Sequence, residues 1–105
     1  MERLKQILDI LESTNAKDVK VYHYENKSPF YDYVILATLS DRQSNATVGY
    51  LKKAGLLDTE KVEGRNTGWT LVDAKDIIVH LFNETERKFY NFEARLADVK
   101  EITIK

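Results

Sequence analysis

The chain has 105 residues, 43% of them hydrophobic, enough for one domain with a real core and too few for two. Sixteen basic residues against seventeen acidic give a net charge of −1 with no block of like charge, so a protein that grips nucleic acid through its phosphates is disfavoured, while contact with a basic protein surface is not. Cysteine is absent, which excludes a disulfide framework, a thiolate nucleophile and a Cys-type zinc site, and no stretch approaches the roughly 18 apolar residues of a membrane span; the expectation is a soluble, unexported, cytoplasmic protein.

Leu4, Ile7, Leu8 and Leu11 recur at i, i+3, i+4 and i+7, which predicts an amphipathic helix over residues 2–13. Asn15-Ala16-Lys17-Asp18 breaks it, and a strand follows over 19–24 with Val19 and Val21 on one face and Tyr22 and Tyr24 on the other. Residues 25–28 are polar loop, and Pro29, the only proline, keeps Ser28 extended. Residues 33–38, YVILAT, form a continuous apolar run rich in strand formers, the pattern of a central strand covered on both faces.

Ser40 opens S-D-R-Q, a capping box that starts a second helix running to about Ala54 with Thr47, Tyr50, Leu51 and Ala54 inward. Gly55 stands where a left-handed residue ends a helix, with Leu56 set to contact Leu51. After Leu57-Asp58-Thr59, a short extended piece over 60–63 enters the turn-rich loop 64–68.

Residues 67–82, TGWTLVDAKDIIVHLF, read as two strands folded back around Ala74 and Lys75. With that loop, Asp73 stands opposite Asp76, Leu71 opposite Ile78 and Trp69 opposite His80, all on one face that Phe82 extends. Thr70, Val72, Ile77, Val79 and Leu81 line the other face as ordinary core. Asn83-Glu84-Thr85-Glu86 repeats the capping logic, and Phe89, Phe92 and Leu96 follow at helical spacing. Residues 99–105 end in ITIK, which alternates enough to add a strand or else trails free. The order α-β-β-α-β-β-β-α implies a single α/β domain, two or three layers deep, whose mixed sheet is flanked by helices. A parallel crossover passes through the second helix and the hairpin is antiparallel.

Chemistry has few places to sit. His23 and His80 each lie in a strand without a second ligand at metal spacing, no serine occupies a G-x-S-x-G elbow, and single glycines make no phosphate cradle. The sequence therefore points to no metal, no cofactor and no catalytic residue. What stands out is the mixed hairpin face: an indole beside an imidazole, with Asp73 and Asp76 at its tip. Structurally, Asp73 starts the turn and Asp76 solvates a strand end. Functionally, like charges set opposite each other call for a cation from a partner, and Trp is the residue most enriched at interface hot spots.

The series D-Y-V-I-L-A-T-L-S-D-R-Q at 32–43, V-E-G at 62–64, W-T-L-V-D at 69–73, D-I-I-V-H-L-F at 76–82 and E-T-E-R-K-F-Y-N-F-E at 84–93 resembles the Iojap family, the ribosomal silencing factors called RsfS. The likeness is collinear over about residues 28–96. It implies a nucleotidyltransferase-like fold without transferase activity. It also implies a protein, homodimeric when free, that docks on ribosomal protein uL-fourteen of the large ribosomal subunit, blocks subunit joining and represses translation when nutrients are scarce. The family's characteristic positions include Trp69, Asp73, Asp76, His80, Arg87 and Tyr90, and the partner-binding set this implies is Trp69, Asp73, Asp76, His80, Phe82 and Tyr90. Three departures fall at Leu39, at Ala74-Lys75 and at Leu96-Ala97, where the family has glycine before the serine, Leu-Gly at the hairpin and Leu-Trp after the last helix.

Two other function classes compete. An active nucleotidyltransferase needs a Gly-Ser loop and a D-x-D pair for two Mg²⁺ ions, but here Leu39 replaces the glycine and Asp73 and Asp76 have the wrong spacing. A self-associating scaffold would instead pair the aromatic face with a second copy.

Overall fold

A computed structural model describes residues 2–57 and 61–102; positions 58–60, expected to carry a turn into a strand, and the end of the tail at 103–105 lie outside the described residues. Helix α1 (Glu2–Ser13) buries Leu4, Ile7 and Leu11, and at roughly 1.5–3 kcal/mol for each buried side chain it is docking that makes so short a helix stable. Left-handed Asn15 (φ 61°) ends it, with the Ala16 N–H returning to the Leu11 carbonyl at 3.0 Å. Strand β1 (Lys17–His23) starts two residues before its expected beginning, across an irregularity at Asp18 (φ 49°) that leaves Val19 exposed while Val21 and Tyr22 bury on opposite faces.

Strand β2 (Tyr33–Thr38) is central, antiparallel to β1 and parallel to β5 (Ile77–Phe82). Its apolar run serves both faces, Ile35 and Ala37 on one and Val34 and Leu36 on the other. Helix α2 (Asp41–Lys53) opens on the complete Ser40/Gln43 capping box. It closes on Gly55 (φ 72°), whose N–H meets the Lys52 carbonyl at 3.0 Å while that of Leu56 meets Leu51 at 2.9 Å. Its inward stripe is Ser44, Thr47, Val48 and Leu51, so Tyr50 and Ala54 face solvent, contrary to the sequence expectation. Two bonds to the end of α1 set that rotation: the Gln43 amide donates to the Thr14 carbonyl at 2.9 Å and the Thr47 hydroxyl to Thr14 Oγ1 at 2.9 Å.

The six-stranded sheet runs β3-β4-β5-β2-β1-β6, with β3 (Val62–Glu63), β4 (Trp69–Ala74) and β6 (Lys100–Ile102) joined antiparallel to their neighbours. Helices α1 and α2 seal one face over Val72, Ala74, Ile77, Val79 and Leu81. The other carries a thinner cover made by α3 (Glu84–Tyr90) and a 3₁₀ segment (Phe92–Leu96) packed on Tyr22, Val34, Leu36 and Phe82. The expected single last helix is thus two pieces. Asn91 adopts φ 44°, which a short polar side chain tolerates, and turns the chain so that Phe92 and Leu96 reach the sheet while Phe89 stays 77% exposed.

The hairpin corrects the expected register. Its loop is Lys75-Asp76, and Trp69 pairs with Phe82, Leu71 with His80 and Asp73 with Ile78. Every pair moves by two positions, an even shift that leaves each residue on its expected face. Ala74 is drawn into the helix-covered core, fully buried, and the Asp76 carbonyl accepts the N–H groups of Asp32 and Tyr33 at 2.7 and 3.2 Å, which locks the turn to β2.

Candidate interaction site

The hairpin face is built from its entry. Thr67 closes the loop by donating its hydroxyl to the Gly64 carbonyl at 2.5 Å, and Gly68 (φ 87°) then turns the chain into β4. Only glycine fits there, because a Cβ would lie 2.6 Å from Asn83 Nδ2 and 2.8 Å from Glu86 Cγ. Gly68 also donates to Asp41 Oδ1 at 3.0 Å and accepts from the Asn83 N–H at 2.7 Å, tying the starts of α2 and α3 to the residue that precedes Trp69.

Trp69 is half-buried and its indole is held on several sides. Nε1–H donates to His80 Nδ1 at 3.0 Å. Phe82 lies nearly parallel to the ring at 4.9 Å, Tyr90 tilts against it at 4.7 Å and Phe92 meets it edge-on at 6.1 Å. His80 is itself enclosed, stacked with Phe82 at 5.9 Å and beneath Phe92 at 4.3 Å. Burial disfavours its charged form and pushes its pKa down to about 4. The imidazole is therefore neutral at physiological pH, and with Nδ1 accepting, its proton sits on Nε2.

Arg87 supports this cluster from behind. It is buried, donating through Nη1 to the Asp18 carbonyl at 2.6 Å and the Thr38 hydroxyl at 2.9 Å, and through Nε and Nη2 to Glu93 at 3.4 and 3.2 Å. One guanidinium thereby fastens α3 to β1, to β2 and to the 3₁₀ segment that carries Phe92.

Of the six partner-binding candidates, Trp69, His80, Phe82 and Tyr90 converge, though with different access. Trp69 is half-buried and Tyr90 is 42% exposed, whereas His80 and Phe82 lie beneath the surface and shape it from below. Phe82, fully buried, is a support and not a contact. Asp73 and Asp76 sit apart at the far end of the hairpin, and the expected unfavourable carboxylate pair does not form. Asp76 lies in the turn, paired with Arg3 of α1, which also donates to the Ala74 carbonyl. Asp73 accepts from the Tyr31 hydroxyl at 3.2 Å, and burial first, then the neighbouring carboxylate, raises the Tyr31 pKa. Phe92 and Arg3 are the residues that sequence reasoning passed over, and Arg87, one of the family's characteristic positions and by default a solvated surface residue, is instead buried. Asn91, a residue type suited to a left-handed stop, was the one local signal for Phe92; the partners of Arg3 lie more than 70 positions away.

What remains accessible is apolar and aromatic: the outer part of Trp69, Tyr90, and Phe89 packed edge-on to Tyr90 at 5.1 Å. Among the described residues no group of three or more His, Asp or Glu side chains is placed to hold a metal ion, and no helix is long and apolar enough to cross a membrane. The surface suits contact with another macromolecule through ring faces.

The family described as "Ribosomal silencing factor during starvation" matches residues 1–105. The ribosomal silencing factor RsfS of Zymomonas mobilis is 37% identical over 95 residues, 86% of this chain and 71% of that protein. A crystal structure from Chromobacterium violaceum superposes with a TM-score of 0.77 at 31% identity, covering 90% of this chain and 82% of that one. A second, from Bacillus halodurans, has a TM-score of 0.81 over 98% of both chains at 24% identity, and so speaks for the fold. Fold, sequence and motif order agree, and the chain belongs to the RsfS family of ribosomal silencing factors.

Proposed function

We propose that this protein binds the large ribosomal subunit through ribosomal protein uL-fourteen, blocks association of the subunits and so represses translation under nutrient limitation. It acts by occupying a surface and not by chemistry, in the cytoplasm, and it is a homodimer when free. The observation that carries this reading is the half-buried Trp69 standing beside accessible Tyr90 in a rigid aromatic setting. Such a ring is ordered before it binds, so association costs little side-chain entropy. Trp69 and Tyr90 make the contact, His80 and Phe82 hold the ring from below, and Asp73 and Asp76 form a more distant acidic rim.

The test is sedimentation with purified large subunits together with a subunit-joining assay. The wild-type chain is expected to co-sediment and to inhibit joining, and Trp69→Ala to weaken both by roughly 30-fold or more, the loss typical of a central aromatic anchor. Full retention by the mutant removes Trp69 from the interface. A second reading is favoured by the exposure of Phe89: the same face pairs two copies when no subunit is present. Size-exclusion with and without large subunits tests it, with exchange of dimer for complex expected.

A further inference from the structure

We infer that His80 is a positioning residue for Trp69: by occupying the indole N–H it fixes the ring plane, so that the partner recognises the face and edge of the ring and not its hydrogen-bond donor. This rests on the reading of the Trp69 face as the subunit-binding surface.

A solvent-facing tryptophan usually offers a partner both ring area and one N–H. In this chain the N–H is already directed inward, 3.0 Å from His80 Nδ1, in a bond between two residues eleven positions apart on adjacent strands. His80 cannot swing away, because Phe82 lies parallel to it and Phe92 covers it at 4.3 Å. Nor can the indole rotate freely, since Phe82 and Tyr90 stand at 4.9 and 4.7 Å from its ring. Turning the N–H outward would orphan the Nδ1 acceptor in a buried aromatic setting, which is costly. Specificity on the partner's side therefore lies in a surface shaped to a flat ring, and a polar acceptor aimed at the indole nitrogen gains nothing.

Trp69 is the only tryptophan, so its indole gives one proton–nitrogen resonance and one emission band. In ¹⁵N-labelled wild-type protein that resonance is expected to exchange slowly with solvent and to show scalar coupling through the hydrogen bond to the His80 Nδ1 nitrogen. Rapid exchange without coupling overturns the inference. The second arm is a double-mutant cycle of large-subunit affinity. His80→Leu, which removes the acceptor but keeps bulk, is expected to weaken binding ~10-fold and shift the emission to the red, with His80→Asn, whose amide oxygen takes the place of Nδ1, recovering most of the loss. In a Trp69→Phe background, where there is no N–H to hold, the same His80→Leu change is expected to cost less than ~2-fold, the non-additivity that marks a residue acting through its neighbour. Equal losses in both backgrounds, or wild-type affinity for a folded His80→Leu protein, overturn it. Failure of the wild-type chain to bind large subunits refutes the underlying reading instead, and leaves the indole resonance to decide the hydrogen bond by itself.

Discussion

Arg87 and Glu93 meet across the left-handed turn at Asn91, the carboxylate taking two hydrogen bonds from one guanidinium at 3.4 and 3.2 Å. The pair spans the break between α3 and the 3₁₀ segment, and the same guanidinium bonds to β1 and β2. Arg87→Met is expected to lower stability by about 1–3 kcal/mol, because it removes charge-assisted bonds to a part-buried carbonyl and hydroxyl and leaves Glu93 unpaired. Urea unfolding checks this. Glu93 is more exposed than its partner, so Glu93→Gln should cost about 1 kcal/mol.

His80 predicts a slope in stability with pH. Its folded pKa is depressed to about 4, below the ordinary value of 6.5, so between those limits the unfolded chain takes up a proton that the folded chain refuses. Stability therefore falls as pH drops from 6.5 towards 4, by roughly 3 kcal/mol in all at 1.36 kcal/mol per unit. Thermal melts across that range should show a steeper decline for the wild type than for His80→Asn, which has nothing to protonate there. Parallel declines would remove His80 as their source.

Lys75 opens the hairpin loop at φ 66°, a region that costs a side-chain-bearing residue roughly 1–2 kcal/mol. Its side chain is exposed. Lys75→Gly should therefore stabilise the protein by about 0.5–1 kcal/mol once the greater freedom of the unfolded chain is set against the relief, raising Tm by about 4–8 °C per kcal/mol.

Thr70 points into the helix-covered core, 1% exposed, and its Oγ1 has no hydrogen-bond partner among the described residues. Thr70→Val keeps the shape and removes the unsatisfied hydroxyl. A gain of about 0.5–1 kcal/mol in urea unfolding is expected.

Local physics made much of the fold legible in the sequence. The run at Tyr33–Thr38 is apolar on both faces and is the central strand; the Ser40/Gln43 box and Gly55 bound α2 through bonds a few residues long. The alternation along β4 and β5 named the residues of each face even though the loop lies one position further on than expected. The rest depended on partners remote in the chain. The rotation of α2 is set by Thr14, the turn at Lys75-Asp76 is held by Arg3 and by the N–H groups of Asp32 and Tyr33, and neither leaves a local mark. That dependence is also why Asp73 and Asp76 looked like an unsatisfied pair: Tyr31 and Arg3, which satisfy them, come from other elements. For the candidate site, spacing put Trp69 and His80 on one face, while the depth of His80 and Phe82 and the arrival of Phe92 needed the folded chain.

The parallel pairing of β2 with β5 has a consequence for the order of events during synthesis. Tyr33 must wait for Ile77, and Thr38 for Phe82, so the midline of the sheet stays open until the chain has grown through α2 and the whole hairpin. During synthesis at about 5–20 residues per second, the indole is made before the imidazole and phenyl rings that seat it, which follow it in the chain. The surface around the indole is therefore complete only once β5, α3 and the 3₁₀ segment have joined the sheet.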